Sequence, residues 1–226
     1  MYMKRRVTAR PILNMINICE IFKSIQGEST YAGMVCTFIR VSGCNICCTY
    51  CDTPYAREKG RDVTVSQILD MVAGFQCPLI EITGGEPLLQ QKIPELCRLL
   101  LDSGYTVLVE TNGSRDISLL PDGCIRIMDI KTPGSGCSDS FLTENLNHLN
   151  SRDECKLVLC GKDDFDWACD FVRKKRLHET CTVIFSPAAE ILAPRKLAEW
   201  ICNGNIPVRL GLQLHTYIWG NNVRGV

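Results

Sequence analysis

Seven short β-rich runs recur along this chain: Val35–Val41, Leu79–Thr83, Thr106–Glu110, Ile125–Ile130, Lys156–Cys160, Thr182–Phe185 and Val208–Leu214. Several are apolar almost without interruption, as a strand covered on both faces must be. Helical patterns lie between them. Val65, Ile68, Leu69, Val72 and Phe75 share one helical face behind a capping box of Thr64 and Gln67. Further helices are expected over 93–103, stopping at Gly104, over 163–177, and over 194–203, starting at Pro194 and ending before Gly204. Strand–helix alternation predicts βα units and a mostly parallel sheet, hence an α/β fold. No repeat, low-complexity stretch or linker divides the chain, so a single domain is expected.

The charge balance narrows the partners. Lys+Arg and Asp+Glu number 25 each, so no global field favours nucleic acid or membrane. No apolar run approaches the roughly 20 residues of a membrane span. The basic N-terminus (Lys4, Arg5, Arg6, Arg10) lacks the apolar core of a secretory signal. Met15 offers a second start, which would make residues 1–14 an N-terminal extension and 15–226 the core domain. The 15 cysteines suggest a disulfide scaffold only until length is considered, because such scaffolds are short chains unable to build a core. Most sit in apolar segments, where a free thiol packs as a small hydrophobe. A reduced, cytoplasmic setting is expected.

Polar residues gather at the strand ends. Leu79–Thr83 runs into Gly84-Gly85-Glu86-Pro87, Thr106–Glu110 into Thr111-Asn112-Gly113, Ile125–Ile130 into Lys131-Thr132-Pro133, and Thr182–Phe185 into Ser186-Pro187; the last predicted strand carries Gln213 and His215. The C-terminal edge of a parallel sheet is where such folds bind ligands.

At the same edge, after the first run, comes Gly43-Cys44-Asn45-Ile46-Cys47-Cys48-Thr49-Tyr50-Cys51-Asp52-Thr53. Four buried, unligated thiols are improbable in a loop this polar. Two back-to-back zinc knuckles would share adjacent Cys47 and Cys48, whereas structural zinc usually draws its four ligands from two separated hairpins. An iron–sulfur cube needs only well-placed thiolates. Cys44-x2-Cys47-x3-Cys51 and Cys44-x3-Cys48-x2-Cys51 are both available.

Cys44-x3-Cys48-x2-Cys51, with Tyr50 before the last cysteine and Gly84-Gly85-Glu86 ending a later strand, resembles the radical S-adenosylmethionine superfamily. The resemblance implies a partial (β/α), TIM-like barrel and one 4Fe-4S cluster held by Cys44, Cys48 and Cys51, with Cys47 a bystander. It also implies S-adenosylmethionine on the fourth iron, cleaved by one electron to a 5′-deoxyadenosyl radical. Ser24-Ile25-Gln26-Gly27-Glu28-Ser29, Phe38-Ile39-Arg40, Cys51-Asp52-Thr53, Thr83-Gly84-Gly85-Glu86-Pro87, Glu110-Thr111-Asn112-Gly113 and Leu212-Gln213-Leu214-His215 are more specific. Together they resemble the 7-carboxy-7-deazaguanine synthase family, over about residues 19–215.

That resemblance implies a lyase. It would convert 6-carboxy-5,6,7,8-tetrahydropterin to 7-carboxy-7-deazaguanine plus ammonia, a step toward queuosine and tRNA modification. Mg²⁺ would be held by Thr53 and the substrate carboxylate, as a hard cation bridging oxygens. Tyr50, Gly85 and Glu86, then Lys131, Thr132, Ser186 and Pro187, would bind S-adenosylmethionine. Ile25, Gln26 and Gly27 would read the pterin ring, Arg40 would pair its carboxylate as a planar fork, and Thr83, His215 and Val226 would complete the substrate site. A flavodoxin or ferredoxin would supply electrons, and a homodimer is implied. The rivals are a glycyl-radical activase acting on a partner protein and a non-enzymatic electron carrier or zinc-stapled module.

Overall fold

The computed structural model describes residues 14–220 and 223–226, so the expected N-terminal extension falls almost wholly outside the described residues. The strands are β1 (Met15–Ile25), β2 (Val35–Val41), β3 (Arg61–Thr64), β4 (Leu79–Gly84), β5 (Thr106–Thr111), β6 (Ile125–Asp129), β7 (Glu154–Leu159), β8 (Thr182–Pro187) and β9 (Arg209–Leu210). The helices are α1 (Val65–Phe75), α2 (Ile93–Asp102), α3 (Lys162–Lys175), α4 (Leu177–Thr180), α5 (Pro194–Gly204) and α6 (Leu214–Trp219). One sheet runs in the order β3-β1-β2-β4-β5-β6-β7-β8-β9. From β2 onward every pairing is parallel, whereas β1 lies antiparallel to both β2 and β3. β3 and β9 end the sheet, giving an open, partial (β/α) barrel in a single α/β domain.

Helices cover the outer face. Ile80, Ile82, Val107, Val109, Leu157 and Phe185 point outward from the strands and pack with Ile68 and Val72 of α1, Leu96 and Leu100 of α2, Ala168 and Val172 of α3 and Leu197 of α5. The capping box at Thr64 and Gln67 starts α1 as the sequence predicts, and Arg176, left-handed at φ 53°, stops α3.

The inner face divides along the strand axis. Its lower end is an apolar plug of Phe22, Cys36, Phe38, Leu79, Leu108, Ile125 and Ile127. One alternation step up, β2, β4, β5 and β6 present Arg40, Glu81, Glu110 and Asp129, and β7 adds Lys156. The step follows from the two-residue period of a strand.

Two expectations fail at the margins of the sheet. The sequence reading omits β1 and β3. In β1 the register slips between Ile18, opposite Val41, and Glu20, opposite Arg40. This bulge at Cys19 sends Ile16 and Ile18 into the outer core but Phe22 into the inner plug, so no single alternation marks the strand. The predicted strand Val208–Leu214 shrinks to two residues. Gly211 donates to the Phe185 carbonyl at 2.8 Å, and a Cβ there would lie 2.5 Å from Ser186 Oγ. The chain then turns away; Leu214 N donates to the Gly27 carbonyl at 2.9 Å. Gln213 thus caps α6, and His215 sits in its first turn rather than on a strand face.

Candidate active site

Two cavities open at the C-terminal edge of the sheet, of about 360 Å³ and 140 Å³. Arg40, Tyr50, Cys51, Asp52, Thr53 and Thr83 belong to the walls of both.

The smaller cavity is the cysteine site. Cys44, Cys48 and Cys51 line it and Cys47 does not. Cys47 is exposed, and its sulfur accepts a hydrogen bond from Arg57 Nη1 at 3.0 Å. Thus the chain converges three thiols on one space and turns the fourth away. Burial pushes the Cys44 thiol up and the Cys48 thiol to about 12; a metal that displaces the proton removes that barrier to ionisation.

The cysteine loop is clamped to the Gly-Gly-Glu turn through backbone. Gly85 N donates to the Val41 carbonyl at 3.1 Å and Glu86 N to the Gly43 carbonyl at 2.8 Å. Gly84 has φ +129°, and a Cβ on Gly85 would lie 2.0 Å from the Gly43 oxygen. Only glycine permits that approach. The Glu86 side chain is fully buried. It accepts from Leu88 N at 2.9 Å, Thr111 Oγ1 at 2.8 Å and Asn112 N at 2.7 Å. It walls neither cavity, and its place is that of a clasp joining the turn to the end of β5.

The remaining predicted cofactor residues separate into front and rear. Tyr50 and Lys131 line the cysteine cavity, with Lys131 Nζ 5.6 Å from the centre of the Tyr50 ring. Lys131 is paired with Asp129 at 2.8 Å. Thr132, Ser186 and Pro187 stand behind the walls, Thr132 Oγ1 donating to the Val158 carbonyl at 2.8 Å. Ala188 and Ala189 face the cavity in place of Ser186 and Pro187.

The larger cavity gathers every residue the sequence nominates for substrate: Ile25, Gln26, Gly27, Arg40, Thr83, His215 and Val226. Gly27 passes so close to α6 that a Cβ would fall 2.3 Å from His215 Nδ1. Arg40 Nε is bonded to Glu20 Oε1 at 2.8 Å, the pair that the β1 bulge places side by side. Glu28, Asp52 and His215 bring ligand atoms within 4.8 Å of one another, in the cavity that Thr53 also lines.

Sequence reasoning missed the charged layer beneath these residues. Lys156 Nζ reaches Glu28 at 2.6 Å and Asp129 at 3.4 Å, and it also pairs with Glu110. Thr83 Oγ1 donates to Glu110 Oε2 at 2.9 Å, and Gln213 Nε2 donates to Glu28 Oε1 at 3.0 Å. Burial works against the Lys156 charge, but the Glu110, Glu28 and Asp129 carboxylates outweigh it and hold the ammonium well above its usual range. Burial likewise opposes ionisation of Asp129, yet Lys131 and Lys156 hold its pKa below the ordinary carboxylate value. A signal existed: Leu-Ile-Glu-Ile, Val-Leu-Val-Glu and Glu-Cys-Lys-Leu each place a charge inside an apolar parallel strand, where it must have a partner or a task.

Residues 38–184 match the Radical SAM superfamily. The chain is 42% identical over 214 residues to the 7-carboxy-7-deazaguanine synthase of Chlorobaculum tepidum, covering 93% of this chain and 97% of that protein. It therefore belongs to the 7-carboxy-7-deazaguanine synthase family. The Koribacter versatilis 7-carboxy-7-deazaguanine synthase is 39% identical, covering 93% of this chain and 100% of that protein. The crystal structure of QueE from Escherichia coli shares the fold at a TM-score of 0.71 and 20% identity, covering 88% of this chain and 94% of that one.

Membership in this family makes the chain a radical S-adenosylmethionine lyase, with a 4Fe-4S cluster and S-adenosylmethionine as its cofactors. The cysteine cavity fits them: its donors are soft thiols, three in number, with the fourth cysteine of the loop directed elsewhere. No described helix is long and apolar enough to cross a membrane.

Proposed function

We propose that this protein converts 6-carboxy-5,6,7,8-tetrahydropterin to 7-carboxy-7-deazaguanine with loss of ammonia, in the route to queuosine and modified tRNA. The observation that carries the reading is the wall shared by the two cavities. A molecule in the larger cavity touches the cysteine site through Arg40, Tyr50, Thr53 and Thr83. Cys44, Cys48 and Cys51 would hold the cluster, which would supply one-electron reduction of S-adenosylmethionine.

The chain's own residues bind, orient and exclude water. Tyr50, the Gly85 backbone and Lys131 receive S-adenosylmethionine, with Glu86, Thr132, Ser186 and Pro187 holding that wall from behind. Arg40 offers its remaining guanidinium N–H donors to the substrate carboxylate. Thr53 would hold Mg²⁺, in a neighbourhood already rich in hard donors from Glu28 and Asp52. Ile25, Gln26, Gly27, Thr83, His215 and Val226 enclose the ring. A flavodoxin or ferredoxin delivers the electron, the working form is a cytoplasmic homodimer, and residues 15–226 form the catalytic domain.

The test is anaerobic reconstitution with iron and sulfide, followed by S-adenosylmethionine, Mg²⁺, a reductant and carboxytetrahydropterin. The expected result is 7-carboxy-7-deazaguanine by mass and ultraviolet spectrum, with ammonia released. A protein that holds the cluster and cleaves S-adenosylmethionine yet leaves the pterin unchanged would overturn the reading.

A further inference from the structure

Glu81 is a buried acidic side chain of the larger cavity that the charged layer leaves out. Glu28, Glu110 and Asp129 all reach Lys156. Among the described residues no cation stands within ion-pair distance of Glu81, although its side chain lies on the cavity wall and the residue is only 4% exposed. One of its oxygens, Oε2, accepts from Gln26 Nε2. No described residue bonds the other.

Burial and the neighbouring Glu110 charge push the Glu81 carboxyl well above the usual carboxylate range, with Lys156 opposing. A strand position this deep holds a carboxyl without a counter-cation at a cost, since burying an unpaired charge is destabilising. Its surroundings suggest the offset. Phe38 is its register partner on β2, Phe22 stacks on Phe38 at 5.1 Å between ring centres, and both rings and Ile127 line the same cavity. These walls admit a flat ring and leave Glu81 at its edge. The register also pairs Arg40 with Thr83. Arg40 and Glu81 are therefore two strand positions apart, roughly 7 Å along the strand axis, and a fused bicyclic acid can span them with its carboxylate at Arg40.

We propose that Glu81 is a specificity residue that accepts hydrogen bonds from the 2-amino group and N3–H of the substrate's pyrimidine ring, with Gln26 fixing its orientation. The assignment rests on the functional reading above. It selects 2-amino-4-oxo heterocycles and disfavours 2-oxo ones, which turn a carbonyl oxygen toward the same carboxylate.

The test is a fluorescence titration of the reconstituted holoenzyme with S-adenosylmethionine and no reductant. One ligand is 6-carboxypterin; the other is 6-carboxylumazine, which carries oxygen in place of the 2-amino group. Wild type is expected to prefer the pterin by roughly 100-fold, the order expected when a buried acceptor is left unpaired against the analogue. In Glu81→Gln the preference should collapse to within a few-fold, while the protein unfolds at or above the wild-type temperature. Should Glu81→Gln fail to fold, Glu81→Val, which buries no amide, gives the same readout. An unchanged preference in either variant, or a wild type that takes both ligands equally, overturns the Glu81 assignment alone. A wild type that takes neither ligand and does not turn over carboxytetrahydropterin overturns the functional reading with it.

Discussion

The two ends of the barrel interior share β4, β5 and β6, on the same face and one alternation step apart, and they do opposite things. Leu79 and Glu81 share β4, Leu108 and Glu110 share β5, and Ile127 and Asp129 share β6. At the lower end the side chains meet one another and exclude water, a gain of about 25 cal/mol per Å² of apolar surface. At the upper end Lys156 and Asp129 are buried and Glu28 and Glu110 half-buried, and Lys156 offsets the cost by serving three carboxylates. The plug therefore holds the strands so that the charged layer can stay ready for ligands. Stability and function are stacked rather than mixed.

That division can be broken at several points. The largest effect is expected at the cofactor rim. Cys48→Ala should abolish the 4Fe-4S absorbance and all turnover, whereas Cys47→Ala should keep both; a variant pair behaving the other way round would make Cys44, Cys47 and Cys51 the true ligands. Next is Lys156→Met, which strands Glu28, Glu110 and Asp129 without their common cation. Removing one partner of a buried ion pair costs about 3–5 kcal/mol, so the urea midpoint should fall sharply and turnover with it. In the plug, Leu108→Ala should cost about 2–5 kcal/mol in the same titration while ligand preference stays at the wild-type ratio. If it altered that ratio, the two ends would not be separable.

The smallest and most selective effect concerns pH. Glu81 has its folded pKa raised, so its ionisation opposes folding. The penalty is absent below the unfolded value of about 4.3 and grows as pH rises through the folded value. Glu81→Gln should therefore gain stability over wild type at pH 8 and lose that gain as pH falls toward 4.5. A gain independent of pH would show that Glu81 is neutral throughout or has an unseen counter-charge.

How much was legible depended on what each residue needs from its neighbours. The capping box of Thr64 and Gln67 and the stop at Gly104 are local, and the structure keeps both. The strands that are apolar on both faces were equally plain. Missed were β1, whose alternation is broken by the bulge at Cys19, and the true end of the chain's last run, where contacts with Phe185, Ser186 and Gly27 turn a predicted strand into a bend and a helix. In the site, all seven substrate residues proposed from the sequence line one cavity, yet Glu86, Thr132, Ser186 and Pro187, proposed for the cofactor, line neither cavity, and the Lys156 network went unread.

The sequence alone determined the parallel α/β architecture, because periodicity is a property of contiguous chain, and its short motifs carried the resemblance to the family. Only the tertiary structure decided which inward-facing charges meet. A strand buried on both faces carries apolar residues on both, so its pattern does not say which side a glutamate or lysine takes. That choice is made by register with the strands beside it, which brought Glu110, Asp129 and Lys156 together, with Glu28 added from the loop after β1, and left Glu81 without a cation.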